Sequence, residues 1–192
     1  MANTDKERRF FSSKVSFEER DGTKDENVIE GYAAVFNKDS EDFGGWLERI
    51  APGAFDEVLN DDAVALFNHD HNHVIGRNGV NVKLTQDSTG LKYRIKLPNT
   101  TLANDLRQLI KDEIISQSSF AFTVRTQEWE HNKDKPSIRT IRKVERLYDV
   151  SPVTYPAYPD TTVGTRSYTE NKPALGLELR QRELKLKKLK TI

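Results

Sequence analysis

The stretch Val80-Asn-Val-Lys-Leu-Thr-Gln-Asp-Ser-Thr-Gly-Leu-Lys-Tyr-Arg-Ile-Lys-Leu97 decides the fold class. Val80, Val82 and Leu84 alternate with polar residues, Asp87-Ser-Thr-Gly90 supplies turn chemistry, and Leu91, Tyr93, Ile95 and Leu97 alternate again. Successive side chains on a strand point to opposite faces, so this pattern predicts a hairpin with one buried face. Upstream, Val28 to Phe36 and Ala63 to Phe67 are denser apolar runs suited to buried strands. Downstream the period changes. Leu102, Leu106, Leu109 and Ile110 stand at i, i+4, i+7 and i+8, one face of a helix, and Pro98-Asn-Thr-Thr101 offers a strand stop and an N-cap. Phe120, Phe122 and Val124 return to period two, until Pro152, Pro156 and Pro159 break up the chain. These segments predict an α+β protein with a β-rich, barrel-like core and flanking helices.

Composition bounds the rest. A chain of 192 residues fits one domain with a tail. Its 35% hydrophobic content, even with 10 glycines added, falls below the roughly 45–50% usual for globular chains, so part of it is expected outside the core. No apolar run approaches the roughly 18–20 residues of a membrane span. The first residues, Met1 to Arg9, lack the apolar stretch of a secretory signal. A soluble, cytosol-compatible protein is therefore expected. With no cysteine, disulfide scaffolds, thiolate metal sites and thiol catalysis are excluded. Lysine and arginine total 30 and so do aspartate and glutamate, which argues against a dedicated nucleic-acid binder. The neutrality is uneven: residues 172–192 carry +5 and residues 1–171 carry −5. Leucines at 175, 177, 179, 184, 186 and 189 make that basic tail a helix former without a tidy seam. The expected division is an N-terminal extension over 1–26, a domain over 27–168 and a tail over 169–192.

Three histidines crowd into Asn68-His-Asp-His-Asn-His73. In an extended strand His69, His71 and His73 would share one side, as a zinc site with an open position requires. In a loop the alternation fails, and the choice becomes a polar surface segment or one histidine acting as a base. A base needs a nucleophile. In Ser116-Gln-Ser-Ser-Phe-Ala-Phe122, Ser119 and Ala121 face away from Phe120 and Phe122, so Ser119 is a candidate with room for substrate beside it, and Ser118 on the phenylalanine side is a poorer one. A strand with polar residues outward would read the same way. Asp149, in Tyr148-Asp-Val-Ser-Pro-Val153, could orient a histidine and stabilise its charged form; Glu145 could serve instead, or either could be a solvated carboxylate.

Taken together, these segments resemble a known family. Gly31-Tyr-Ala-Ala-Val-Phe-Asn37, Ile50-Ala-Pro-Gly-Ala-Phe55, Asn68-His-Asp70 with Gly76-Arg77, Leu97-Pro-Asn-Thr100, Ser118-Ser-Phe-Ala-Phe122 and Asp149-Val-Ser-Pro-Val-Thr-Tyr-Pro-Ala-Tyr158 follow the order of the tailed-phage prohead maturation proteases, over about residues 29–166. The resemblance implies a serine endopeptidase related in fold to the herpesvirus assembly proteases. It implies action inside the assembling prohead in the host cytoplasm, on the scaffolding segment of the major capsid protein and on the enzyme itself. It assigns the histidine to His69, the serine to Ser119 and the acid to Asp149, where many relatives have Glu. His71 and His73 receive no catalytic role. It implies no metal or organic cofactor, and no membrane partner; self-association as a dimer follows by analogy. Two departures stand out. Ala121 replaces a common Gly and should narrow the cleft by a methyl group, and Lys111-Asp-Glu113 replaces a Gly-containing turn before the serine strand.

Overall fold

In the computed structural model, which describes residues 3–11, 15–20, 23–131 and 134–154, the alternating segments form two sheets. Strands β7 (Val82–Gln86) and β8 (Gly90–Lys96) make the expected hairpin. Asp87 Oδ1 accepts from the Thr89 and Gly90 amides at 2.7 and 3.2 Å, the local bonding that favours aspartate in turns. Gly90 is required by crowding, because a Cβ there would lie 1.9 Å from the Ala34 carbonyl oxygen on the next strand. Val80 departs from the prediction. It is 80% exposed, and its amide bonds the Arg77 carbonyl in the turn before β7, where alternation no longer applies. Strand β3 (Thr23–Val35) pairs with β8, and β2 (Ser16–Arg20) with β3, giving an antiparallel sheet of order β2-β3-β8-β7.

The second sheet is built around β10 (Ser137–Val153). One edge of β10 pairs antiparallel with β9 (Gln117–Glu130). Its other edge is shared: β4 (Trp46–Ile50) lies parallel to the first half, and β5 (Val64–Leu66) parallel to Asp149 and Val150. Beyond β5 comes β6 (Val74–Arg77), and beyond β9 comes β1 (Asn3–Phe11), antiparallel to it. The core lies between the sheets. Phe120 and Phe122 of β9 stack at 4.7 Å between ring centres, Phe55 meets Phe120 edge-on at 5.6 Å, and Ile29, Leu91, Tyr93 and Ile95 join the same buried cluster. Helix α1 (Thr101–Lys111) starts where expected: Thr100 Oγ1 accepts the Ala103 amide at 3.2 Å, and Ala103, Leu106 and Ile110 face the core.

The β-rich reading holds, but two details of the expected α+β architecture change. Among the described residues the sheets do not close into a barrel; β1 and β6 end one, β2 and β7 the other. Closure requires edge strands to find partners, and a period-two pattern carries no information about that. Among the same residues α1 is the one helix. The Ala51 to Asp61 segment is a run of turns with i to i−3 amide bonds, its Gly53 at φ +77°. Residues 3–11 and 16–20, within the expected extension, contribute β1 and β2 to the sheets. The expected tail, 169–192, lies outside the described residues, as do Pro156 and Pro159.

Candidate active site

Strands β9 and β10 place a row of side chains on the face turned away from the phenylalanines. In their register Ser119 stands opposite Ser151, and Ala121 opposite Asp149. Paired residues of antiparallel strands project to the same side, so Ser119, Ala121, Asp149 and Ser151 form one small polar patch. All four are at most 1% exposed. Asp149 faces a methyl group rather than the bare backbone that glycine would leave at 121.

His69 reaches this patch from the loop after β5. Asn68 and His69 both adopt left-handed conformations, φ 56° and 57°. Asparagine and histidine are both among the non-glycine residues enriched in that region. The loop is pinned to the end of β10: the Asn68 amide donates to the Pro152 carbonyl at 3.1 Å, its Oδ1 accepts the Thr154 amide at 2.9 Å, and its Nδ2 donates to Thr154 Oγ1 at 3.1 Å. Two successive left-handed residues turn the chain sharply, and His69 becomes 7% exposed over the patch.

The resulting hydrogen-bonded row runs Asp149–His69–Ser119. His69 Nδ1 bonds Asp149 Oδ1, and His69 Nε2 lies 2.5 Å from Ser119 Oγ. Because an ionised carboxylate only accepts, the imidazole proton sits on Nδ1 and Nε2 is free to accept from the serine. Ser151 Oγ donates to Asp149 Oδ1 at 2.8 Å and lies 3.3 Å from His69 Nδ1, which braces both partners. Burial pushes the Asp149 carboxyl up, but the His69 hydrogen bond and charge, the Ser151 bond and the Lys6 charge outweigh it, leaving the group below the usual aspartate value. Its second oxygen, Oδ2, is buried and accepts no hydrogen bond among the described residues; Lys6 Nζ of β1 stands 3.8 Å away.

The remaining sequence candidates lie elsewhere. Ser118 faces the core, where its hydroxyl and the Tyr93 hydroxyl bond at 2.7 Å; burial pushes the Tyr93 phenol up. Glu145 is at the surface, bonded to Arg125 Nε at 2.5 Å. His71 and His73 are exposed, and His73 Nδ1 pairs with Asp70 at 3.1 Å. The turned loop removes the alternation that would have aligned three imidazoles. Among the described residues no cluster of three His, Asp or Glu side chains could hold a metal ion. Asn68 and Ser151 were not singled out from sequence. Ser151 was within reach of it, since position i+2 on a strand shares a face with Asp149; the Asn68 link to Thr154 spans the fold and leaves no local trace.

The family model of the caudovirus prohead serine protease matches residues 13–173, and the chain belongs to that family. The family is one of serine peptidases, in keeping with a buried serine beside a histidine. Comparison with curated proteins finds no match, and comparison with solved structures finds none. Among the described residues no helix is long and apolar enough to cross a membrane.

Proposed function

We propose that this chain is the endopeptidase of prohead maturation, with Ser119 as nucleophile, His69 as general base and acid, and Asp149 as the residue that orients His69. The observation that carries the reading is the continuous row from Asp149 through His69 to Ser119, buried on one face of β9 and β10. Its substrates are the scaffolding segment of the major capsid protein and the enzyme itself, inside the assembling shell in the host cell. Family membership supports this partner class.

The chemistry follows from the groups present. A serine hydroxyl is a weak nucleophile until a base takes its proton. As Ser119 Oγ bonds to the scissile carbonyl carbon, its proton passes to His69 Nε2. Asp149 stabilises the imidazolium and holds Nδ1–H in place. The carbon–nitrogen bond then breaks, and the His69 proton leaves on the amine. Water, activated by the same nitrogen, cleaves the ester and restores Ser119. Proton transfer of this kind contributes about 10²–10⁴-fold. Neither metal nor organic cofactor enters any step.

The test is co-expression with the major capsid protein of the same genome, comparing wild type with Ser119→Ala by intact-mass analysis. Wild type should shorten the capsid protein and the Ser119→Ala chain should not, a loss of roughly 10⁴–10⁶-fold. Equal processing by both chains would remove Ser119 from the mechanism. Shells that form with no processing by either would favour an inert assembly protein of the same fold.

A further inference from the structure

A nucleophile must meet a peptide carbonyl, and Ser119 already does. Its Oγ donates to the Arg9 carbonyl oxygen at 2.9 Å. Arg9 belongs to β1, which lies antiparallel along the free edge of β9 with Arg9 opposite Phe120 and Phe10 opposite Ser119. The same strand brings Lys6 Nζ to 3.8 Å from Asp149 Oδ2, so it touches both ends of the row. Ser119 itself is fully buried. The whole of β1 lies before residue 13, where the family match begins. Adding an extended segment to a sheet edge is a general mode of peptide recognition.

The side chains of Glu7 and Arg9 are seated as a ligand's would be. Glu7 and Arg9, two apart on one strand face, are 2% and 5% exposed, while Arg8 between them points to solvent. Arg9 donates to Glu48 of β4 at 2.5 and 3.0 Å, with its guanidinium 5.5 Å from the centre of the Phe43 ring and 5.8 Å from that of Phe122. Glu7 accepts from Arg139 of β10 at 2.6 and 2.8 Å. Arg139 also donates to Glu48 at 2.8 Å. The body therefore holds its own neutral guanidinium–carboxylate pair, and β1 adds a second pair of opposite order. When β1 leaves, neither Glu48 nor Arg139 is left as a lone buried charge, the condition that makes most buried networks costly to open.

We propose that β1 occupies the groove in which peptide substrates bind. The groove selects an extended segment with an acidic residue two positions before a basic one, and the carbonyl of the basic residue faces Ser119. This inference rests on the serine-peptidase reading above. While β1 is docked, the one proton of Ser119 is contested between the Arg9 carbonyl and His69 Nε2. An entering peptide has to displace β1, so the resting chain holds back its own activity.

The test uses the full chain, wild type and Arg9→Glu, with two quenched-fluorescence peptides. One has the sequence of residues 5–11, and its twin carries glutamate in place of Arg9. Arg9→Glu sets a carboxylate against Glu48 and expels the strand. It should cut the first peptide at least about tenfold faster than wild type, because rate scales with the fraction of open groove. It should also prefer that peptide to its twin. Equal rates for the two chains overturn the substrate-like role of β1, and equal rates for the two peptides overturn the selection. A fluorophosphonate probe separates the two levels of argument. Labelling of Ser119 in both chains at one rate overturns the β1 inference alone, whereas labelling of neither, with Ser119→Ala as blank, takes the nucleophile assignment down with it. If Arg9→Glu does not fold by circular dichroism, hydrogen exchange of the wild-type chain decides. Amides of β1 should open well before those of β10, and equal protection of both strands overturns the proposal.

Discussion

Two buried polar clusters lie on the sheet built around β10, and they are made on opposite plans. The charged cluster of Glu7, Arg9, Glu48 and Arg139 joins β1, β4 and β10, and each carboxylate accepts from both guanidinium groups. Burial pushes the Glu7 carboxyl up, but the Arg139 hydrogen bond and the charges of Arg9 and Arg139 bring it below the usual glutamate value. The second cluster, Asp149, His69, Ser119 and Ser151, leaves Asp149 Oδ2 without a hydrogen bond among the described residues and offers the single Ser119 proton two acceptors. A network whose charges all pair fixes the register of the strand it seats, whereas one with a contested proton retains something to transfer. The difference marks which cluster seats β1 against the body and which is built to react.

Substitutions can break or sharpen that contrast. The largest effect after loss of Ser119 is expected from Asp149→Asn, which accepts less well from His69 and favours the wrong tautomer. Activity in the co-expression assay should fall by about 10²–10⁴-fold while the circular dichroism spectrum is retained. A stable fold with undiminished cleavage would remove Asp149 from the row. Arg139→Ala acts on the other cluster. It leaves Glu7 and Glu48 with only Arg9, and urea unfolding should register a loss of about 3–5 kcal/mol. A loss below 1 kcal/mol would mean that the charged cluster contributes little.

Acid should attack both clusters in the same direction. Asp149 and Glu7 have folded values below their ordinary ones. Their contribution to stability is therefore complete above the ordinary carboxylate range and is lost as pH falls through the lowered values. The urea midpoint should stay level from neutral pH down to that range and then drop; Asp149→Asn should remove part of the drop. The smallest effect is expected from Tyr93→Phe, which removes the hydroxyl paired with Ser118 at 2.7 Å. Stability should fall by about 1 kcal/mol with cleavage unchanged, because Ser118 lies on the core face of β9. Lost cleavage in that variant would bring Ser118 back as a candidate nucleophile.

The parts of the fold legible in the sequence are those whose cause is local. The β7–β8 hairpin followed from alternation and the Asp87 turn, and α1 from its apolar face and the Thr100 cap. The separation of Ser119 from Ser118 followed from the same alternation, since neighbouring residues on a strand must face opposite ways. Spacing left the histidine segment open between a strand with three aligned imidazoles and a loop, and the left-handed turn at Asn68 and His69 makes it a loop. Openness of the sheets was illegible because closure depends on edges distant in the chain.

Residue spacing and ordered motifs determined the β-rich character, the amphipathic helix α1, the face on which Ser119 lies and the family. Those properties depend on residue spacing over a few turns or strand steps, and spacing is written in the chain. The tertiary structure supplied the contact that residue spacing could not: His69, alone of the cluster, meets Ser119 and Asp149, which are 50 and 80 residues away from it. It also decided that β1 returns across β9 to place the Arg9 carbonyl on Ser119, 110 residues apart. Contacts of that range arise from strand pairing and loop closure, whose outcome depends on the whole core being assembled at once.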